Sequence, residues 1–271
     1  MLNLVFWHLG CILQVLVYLC GCFFDLHCLR YMFSLFRWMV RKAIIFFIVF
    51  LILSVLWVCL YKWFNPPSTP LIVERQLSAI WHGSERVQAI RSWRNYEDMS
   101  PNLILSVIAS EDQNFPFHDG FDLKAIERAV EHNQQQVGKK NPRIKGASTI
   151  SQQVAKNVFL WESRSWVRKG FEVYFTFLIE NLWSKRRILE MYLNVAEMGD
   201  LLFGAEAAAQ TYFGKTATTL SLNESALLAS CLPNPRRYNP LKPDAHILKR
   251  KNWTIKQVGK MGGKNFLDLI Q

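Results

Sequence analysis

The longest uninterrupted apolar run lies near the front of the chain, at residues 43–61, and contains 19 residues without a charge. A helix of that length is about 28 Å long, close to the roughly 30 Å thickness of the hydrocarbon core of a bilayer. A cleaved signal peptide is the alternative, but its apolar region is usually shorter and small residues should follow it. Here Lys62, Trp63 and Phe64 follow instead. The pattern therefore predicts an uncleaved transmembrane helix.

Residues 1–28 are also apolar, but His8, Gln14 and Asp25 interrupt them. They form either a second span, which would give a hairpin, or an upstream extension of a chain whose natural start is Met32 or Met39. The sequence leaves both interpretations open.

Four basic residues, Arg30, Arg37, Arg41 and Lys42, lie just before the predicted span. Because loops rich in lysine and arginine stay in the cytoplasm, everything after the span is predicted to lie on the outer side of the membrane. A second span would leave this orientation unchanged, since the basic loop would still lie inside.

Beyond a proline-rich linker at 65–70, apolar residues recur at helical spacing. Ser100 is a cap followed by Pro101 at the first helical position, and an apolar stripe runs from there to Glu111. Further helices are predicted at 148–157, with Ser148 as its cap, and at 166–183, 184–198, 205–213, 223–232 and 244–258. No alternating stretch is long enough to predict a sheet. The pattern indicates a mainly α domain.

Composition narrows the classes of function. With 271 residues, the chain has room for one domain of ordinary size plus accessory segments. Its net charge is +11, which for an exported and anchored domain favours anionic lipids and phosphates as ligands over nucleic acid. Cys231 is the only cysteine after the span, so no disulfide and no cysteine-based zinc site is predicted there. The histidines after the span are scattered, and no histidine metal site is predicted.

Glu111 is the first candidate for catalysis. At the C-terminal end of an apolar helix, both the helix dipole and desolvation disfavour the charged carboxylate and should raise its pKa. A general base needs such a shift, although a glutamate at a helix end is more often a solvated surface residue. Asp112 projects about 100° away on a helix, and we expect it to hold the following loop, which contains Phe115 and His118.

The segment from Gly146 to Asn157 is the second candidate. Ser148 and Thr149 have no visible base beside them, so helix capping is a better interpretation than nucleophilic catalysis. Gln152 and Lys156 are four residues apart and share a helix face, with Gln153 at its edge; a helix start with exposed amides and an ammonium suits a phosphate.

Basic residues continue downstream at Arg164, Arg168 and Lys169, and Glu172 follows four residues after Arg168. The alternative for this last pair is an exposed helical ion pair, worth only a few tenths of a kcal/mol.

Together these segments resemble the glycosyltransferase domain of peptidoglycan polymerases, glycosyltransferase family 51. Five motifs over most of residues 95–240 carry the resemblance: EDxxFxxHxG at 111–120, GASTIxQQxxKN at 146–157, RKxxE at 168–172, KxxILxxYLN at 185–194 and GxxAAAxxYFGK at 204–215. The chain ends at Gln271, so we expect no transpeptidase domain, as in the monofunctional branch of the family. The expected organisation is a cytoplasmic or membrane segment at 1–42, the transmembrane helix at 43–61, a linker at 62–94 and the glycosyltransferase domain at 95–271.

The resemblance implies a lysozyme-like fold with a small membrane-proximal jaw, whose apolar residues are expected between Phe121 and Gly146. It also implies a reaction in which a growing glycan chain is transferred, with inversion, to the 4-hydroxyl of lipid II and undecaprenyl diphosphate is released. By position, Glu111 matches the general base and Glu172 a second glutamate that orients the donor or assists at the diphosphate. Substrate contacts are implied at Asp112, His118, Ser148, Thr149, Gln152, Gln153, Lys156, Asn157, Arg164, Arg168 and Lys169.

The resemblance also bears on cofactors, partners and location. It implies no certain cofactor and leaves Mg²⁺ or Mn²⁺ open at the diphosphate. The implied partners are lipid II, the glycan strand, the membrane and other proteins of cell-wall synthesis and division, with no nucleic acid. The implied location is the bacterial inner membrane, with the catalytic domain in the periplasm.

Two other classes remain at this point. A lytic hydrolase would use a similar fold and a lone glutamate as an acid, without needing the basic residues from Lys156 to Lys169. A tethered glycan-binding protein would tolerate the loss of Glu111.

Overall fold

The computed structural model describes residues 26–139, 144–163 and 165–270. The chain divides into two compact units, Met1–Trp57 and Val58–Gln271. The first unit contains most of helix α1, Leu26–Trp63. Within α1, the stretch Met32–Trp63 is long and apolar enough to cross a membrane. The predicted span at 43–61 lies inside it, while the segment before Leu26 lies outside the described residues.

Helices dominate the described part of the second unit, as the sequence pattern predicted. They are α2 Pro70–Trp81, α3 Pro101–Glu111, α4 Leu123–Gln134, α5 Ile150–Phe159, α6 Trp166–Leu182, α7 Lys185–Val195, α8 Ala205–Phe213, α9 Leu222–Cys231 and α10 Ala245–Lys260. Short 3₁₀ turns lie at Tyr96–Asp98, Phe115–Phe117, Ala217–Thr219 and Gly263–Leu269. The mainly α class is confirmed.

A small sheet accompanies the helices. Its strands are β1 Ile90–Arg91, β2 Glu197–Gly199 and β3 Leu202–Phe203, in the order β1-β3-β2. β1 runs parallel and β2 antiparallel to β3. Strands of two or three residues are too short to produce a visible alternation, which is why the sequence did not predict them.

Helix α3 lies in the centre of the domain. Leu103, Val107 and Ile108 are fully buried along it, and both α9 and α10 pack against it. Helix α5 packs against α2, α6 and α7. Every residue from Leu103 to Ala109 is buried, so Glu111, the last residue of α3, lies at the edge of the interior of the domain.

Two predicted helix boundaries are corrected by the structure. The N-cap of α5 is Thr149, not Ser148, because the Thr149 hydroxyl accepts from the Gln152 amide while the Gln152 side chain accepts from the Thr149 amide. This reciprocal capping box satisfies two helix-end donors. The helix predicted at 184–198 ends at Val195, because the residues from Glu197 join the sheet.

Gly120 fixes the loop that leaves α3. Its φ is +89°, and a Cβ there would lie 2.7 Å from Thr176 Cγ2 and 2.9 Å from Glu180 Cγ on α6. Glycine alone adopts this conformation cheaply and allows such close approach. The loop is therefore held against α6.

The jaw expected between 121 and 146 begins with α4. Leu123, Val130, Val137 and Ile144 in this segment are exposed, while residues 140–143 lie outside the described part. Exposed apolar side chains are what a membrane-proximal jaw would need.

Candidate active site

A cleft of about 520 Å³ opens beside the end of α3. Five residues predicted from the sequence line it: Glu111, Gln153, Lys156, Asn157 and Arg168. They come from α3, α5 and α6, so the fold brings together three segments that are separated along the chain. The cleft thus has a carboxylate and several cationic or amide groups on its walls.

Glu111 has the environment that was expected for a base. Its side chain is only 11% exposed, and burial raises its pKa above the ordinary value, against the opposing effects of a hydrogen bond from Gln153 and the charge of Arg250. Gln153 Nε2 donates to Glu111 Oε2 at 3.1 Å. The carboxylate is therefore buried enough to hold a proton more readily and is still oriented toward the cleft by a donor.

Gln153 is in turn held by Tyr192 on α7. The Tyr192 hydroxyl donates to Gln153 Oε1 at 3.3 Å. Burial raises the pKa of Tyr192 well above its ordinary value, and the neighbouring charges of Glu111 and Asp112 raise it further, so the hydroxyl keeps its proton. With its oxygen occupied by Tyr192, the Gln153 amide presents its nitrogen to Glu111.

The other oxygen of Glu111 faces a group that the sequence did not reveal. Ser110 Oγ lies 3.3 Å from Glu111 Oε1, and Arg250 Nη2 on α10 lies 3.0 Å from Ser110 Oγ and 3.5 Å from Glu111 Oε1. Arg250 occurs in a basic helix, and nothing in the local sequence distinguishes it from the lysines beside it. Only the packing of α10 on α3 distinguishes it.

Lys156 and Arg168 bring cationic charge to the cleft. The Lys156 side chain remains exposed, yet desolvation by the surrounding protein lowers its pKa, while the charge of Glu172 opposes that shift. Arg168 is mostly buried, with its side chain 13% exposed. Both groups are suited to an anion that enters the cleft.

Glu172 does not line the cleft and is 3% exposed. Arg168 Nη1 donates to its Oε2 at 2.8 Å, and Lys169 Nζ contacts its Oε1. The alternative of an exposed ion pair is wrong, because the carboxylate is buried. The structure thus gives Glu172 the role of fixing two cations, one of which reaches the cleft.

Asp112 and His118 hold the loop after α3. His118 Nε2 lies 3.0 Å from Asp112 Oδ1, and the Ile150 amide at the start of α5 donates to Asp112 Oδ2 at 3.0 Å. The expectation that Asp112 holds the loop agrees with this geometry. Neither residue is among those that line the cleft, so direct substrate contact remains a prediction for them.

The other predicted residues that the structure describes are not among those that line the cleft. Thr149 and Gln152 are buried in the capping box of α5, and Thr149 Oγ1 also donates to the Gly120 carbonyl at 2.7 Å. Ser148 is exposed just before that helix. Lys169 contacts Glu172, and Arg164 lies outside the described residues.

Sequence reasoning missed several cleft residues, including Trp161, Glu162, Glu197, Asn234 and Arg236. Burial raises the pKa of Glu197, and the charge and hydrogen bonding of Arg75 on α2 oppose that rise. The Arg75 guanidinium donates to Glu197 Oε1 at 3.2 Å. For the loop that contains Asn234, the sequence did contain a signal. Pro233 and Pro235 follow a helix closely, and two such prolines indicate a rigid loop that can position side chains.

This arrangement is that of an acid-base enzyme acting on an anionic ligand. One nearly buried carboxylate with a raised pKa faces a cleft that also contains a lysine and an arginine, which suits proton removal next to a negatively charged leaving group.

The chain belongs to the transglycosylase family, since the family model described as Transglycosylase matches residues 78–259. The resemblance to peptidoglycan polymerases and the lysozyme-like, mainly helical class are thereby confirmed. A biosynthetic peptidoglycan transglycosylase of Xanthomonas axonopodis pv. citri is 48% identical over 231 residues, covering 85% of this chain and 90% of the relative. One of the same name from Escherichia coli strain ATCC 8739 is 48% identical over 223 residues, covering 81% and 90%.

Proposed function

We propose that this chain is a peptidoglycan glycosyltransferase that lengthens glycan strands from lipid II during cell wall synthesis. Membership of the transglycosylase family and the printed names of the relatives support this activity. The observation that carries the proposal is the position of Glu111, nearly buried and hydrogen-bonded by Gln153, in the same cleft as Lys156 and Arg168.

In the proposed reaction, Glu111 removes the proton from the 4-hydroxyl of the acceptor lipid II. That oxygen attacks the anomeric carbon of the growing chain, the new glycosidic bond forms, and the bond to the diphosphate oxygen breaks. A single displacement converts the α-linked donor to a β-linked product. The raised pKa of Glu111 makes it a better proton acceptor than an exposed carboxylate would be.

The leaving group of this reaction is undecaprenyl diphosphate, which already carries its charge. It therefore needs cations to stabilise it and no proton from an acid. Lys156 and Arg168 provide these cations, and Glu172 keeps Arg168 in place through their 2.8 Å contact. This assigns Glu172 an orienting role at the diphosphate.

A divalent ion at the diphosphate, Mg²⁺ or Mn²⁺, stays a proposal that the residues present support weakly. Both oxygens of Glu172 are engaged by side-chain cations, and no group of three or more potential metal ligands occurs among the described residues. If such an ion binds, the diphosphate must supply much of its coordination.

The proposed location is the inner membrane, with α1 as the anchor and the second unit in the periplasm. The apolar stretch Met32–Trp63 supports the anchor, and the basic residues before residue 43 support the orientation. Lipid II, the glycan strand and other cell-wall synthesis or division proteins are the proposed partners.

The experiment that tests this function compares lipid II with preformed cell-wall sacculi as substrates for the full chain. Polymer from lipid II supports the proposal. Soluble fragments from sacculi would identify a lytic hydrolase instead. If neither product forms, the chain would be a glycan-binding protein without activity.

A further inference from the structure

Two loops that line the cleft are joined by an ion pair that no motif in the sequence indicates. Glu162 follows α5, Arg236 follows α9, and both side chains line the cleft. Arg236 Nη2 lies 3.5 Å from Glu162 Oε1, and the two side chains are 49% and 51% exposed.

This pair is loose. Charge-assisted hydrogen bonds between nitrogen and oxygen are typically about 2.7–2.9 Å long, and exposed ion pairs contribute only about 0–1 kcal/mol. An anionic ligand with several acceptor oxygens can therefore replace Glu162 as the partner of Arg236 at little energetic cost.

The backbone of Glu162 is held in place by a contact with α2. The backbone amide of Glu162 donates to Glu74 Oε2 on α2 at 2.5 Å. Arg236 has a long flexible side chain on a loop, so it is the member that can move into the cleft.

Arg236 is also close to the charges deeper in the cleft. Burial raises the pKa of Glu197, and the charge of Arg236 opposes that rise. Burial lowers the pKa of Lys156, and the charges of Glu162 and Glu197 are among those that oppose that fall. Arg236 therefore belongs to the same electrostatic cluster as Lys156, although it comes from a different element.

The cleft also contains an unpartnered polar atom. Asn157 is 6% exposed, and its Oδ1 has no hydrogen-bond partner among the described residues. A buried acceptor without a donor is destabilising, so a ligand that supplies a donor here would be favoured. This supports a polar ligand in the cleft that Arg168 and Arg236 also line.

We propose that Arg236 is an additional binding residue for the diphosphate of the lipid-linked substrate, held by Glu162 in the free enzyme and transferred to the diphosphate oxygens on binding. This inference rests on the proposed function and assigns one more residue to that site. Glu162 then acts as an internal competitor that weakens binding of the anion.

The test measures binding of farnesyl diphosphate and of inorganic pyrophosphate to the full chain in detergent by calorimetry. Arg236→Ala should weaken the binding of farnesyl diphosphate about fivefold or more, because a guanidinium contact to phosphate is charge-assisted. Arg237→Ala is the matched control, since Arg237 is the exposed neighbour that lies over the Tyr238 ring and does not line the cleft. Glu162→Gln should strengthen binding about twofold or more, since it removes only an exposed ionic partner.

The two substitutions together test the exchange itself. In the Arg236→Ala chain, Glu162→Gln should have a much smaller effect on binding than in the natural chain. The reason is that Arg236, for which Glu162 and the anion compete, is absent. Arg236→Lys keeps the charge without the planar fork and should fall between alanine and arginine. It also provides a second reading if the alanine variant has a lowered melting temperature.

Loss of affinity for both ligands assigns the contact to the diphosphate group alone, whereas loss only for farnesyl diphosphate assigns it to a diphosphate oriented by its lipid chain; both support the proposal. Unchanged binding in Arg236→Ala, an equal loss in Arg237→Ala, or no binding by the natural chain would overturn it. Polymerisation of lipid II by the natural chain is read separately, so the function can stand when this inference fails.

Discussion

At the scale of single residues, the two oxygens of Glu111 have different surroundings. Oε2 accepts from Gln153 at 3.1 Å, while Oε1 faces Ser110 at 3.3 Å and Arg250 at 3.5 Å. Burial raises the pKa of this carboxyl, and these donors limit the rise. Its proton affinity is thus set by side chains from three helices.

Replacing Glu111 by glutamine should abolish most of the activity without unfolding the protein. The amide is nearly isosteric but cannot accept a proton, and loss of a general base reduces turnover by about 100-fold or more. Polymerisation of lipid II and thermal melting provide the two measurements, with Glu127→Gln on the exposed side of α4 as the control. Near-normal turnover in the Glu111→Gln chain would remove this residue from the mechanism.

The Arg250→Gln substitution should move the acidic limb of the pH profile. In the natural chain the limb is expected above the ordinary value of 4.5, because burial raises the pKa of Glu111 and the base works only when deprotonated. Removing the positive charge raises that pKa further, so kcat/KM falls at neutral pH and recovers as the pH increases.

Several neighbours besides Arg250 act on this carboxyl. Gln153 and Ser110 lower the pKa of Glu111 by hydrogen bonding, and the charge of Asp112 raises it. The exposed neighbour Lys249→Gln controls for net charge. A limb that stays in place in the Arg250→Gln chain would show that Arg250 does not influence the base.

Lys156→Ala and Arg168→Ala should differ in their effects on stability. Lys156 is exposed in the cleft, so its loss should impair lipid II use with little change in melting. Loss of Arg168 leaves the buried Glu172 with one cation instead of two, so both activity and stability should fall. Breaking a buried ion pair costs at most about 3–5 kcal/mol. Equal melting temperatures for the two variants would contradict this distinction.

At the scale of secondary structure, the start of α5 decides which side chains reach the cleft. Because Thr149 is the N-cap, Gln152 stands at the third helical position and its side chain is engaged by the cap. Gln153 is left to contact Glu111, and Lys156 follows it into the cleft. Helix capping and the arrangement of the site are therefore coupled.

Thr149→Ala should destabilise the protein more than Ser148→Ala. Loss of an N-cap costs about 1 kcal/mol and up to about 2 kcal/mol, and Thr149 also donates to the Gly120 carbonyl at 2.7 Å. The exposed Ser148 is the matched control, with an expected change within about 0.5 kcal/mol. Denaturant unfolding measures both changes, and equal values would restore Ser148 as the cap.

At the scale of the whole molecule, the last residues of α1 belong to the second unit. Trp183 Nε1 donates to the Val58 carbonyl at 2.9 Å, and Arg187 Nη2 donates to the carbonyls of Tyr61 and Phe64 at 2.9 and 3.0 Å. Side-chain donors on and beside α7 therefore depend on residues before Pro66.

A chain that begins at Val58 should be more stable than one that begins at Pro66. The shorter chain removes the carbonyl acceptors of Trp183 Nε1 and Arg187 Nη2, and an unsatisfied buried donor costs about 1–3 kcal/mol. Denaturant midpoints of the two chains test this expectation, and identical midpoints would show that these contacts do not stabilise the domain.

Both shortened chains should work poorly on lipid II in vesicles at low enzyme concentration. Without the anchor they lose the high effective concentration at the membrane, although they lose no contact in the cleft. Activity equal to that of the full chain across a range of dilutions would show that the anchor is irrelevant to catalysis.

The sequence by itself determined the features that depend on neighbouring residues. Apolar spacing predicted most helices within a few residues, and the apolar stripe ending at Glu111 predicted both its burial and the direction of its pKa shift. The capping box of α5 was also readable, as a threonine followed three residues later by a glutamine, although Ser148 was predicted as the cap.

Only the tertiary structure decided which distant groups share the cleft. Arg250, Glu197 and Arg236 come from a basic helix, a strand of three residues and a proline-containing loop, and none has a local pattern that indicates a site. Likewise, the spacing of Arg168 and Glu172 is the same for an exposed pair and a buried one. Burial depends on which helices pack over a residue, and spacing within a single helix does not contain that information.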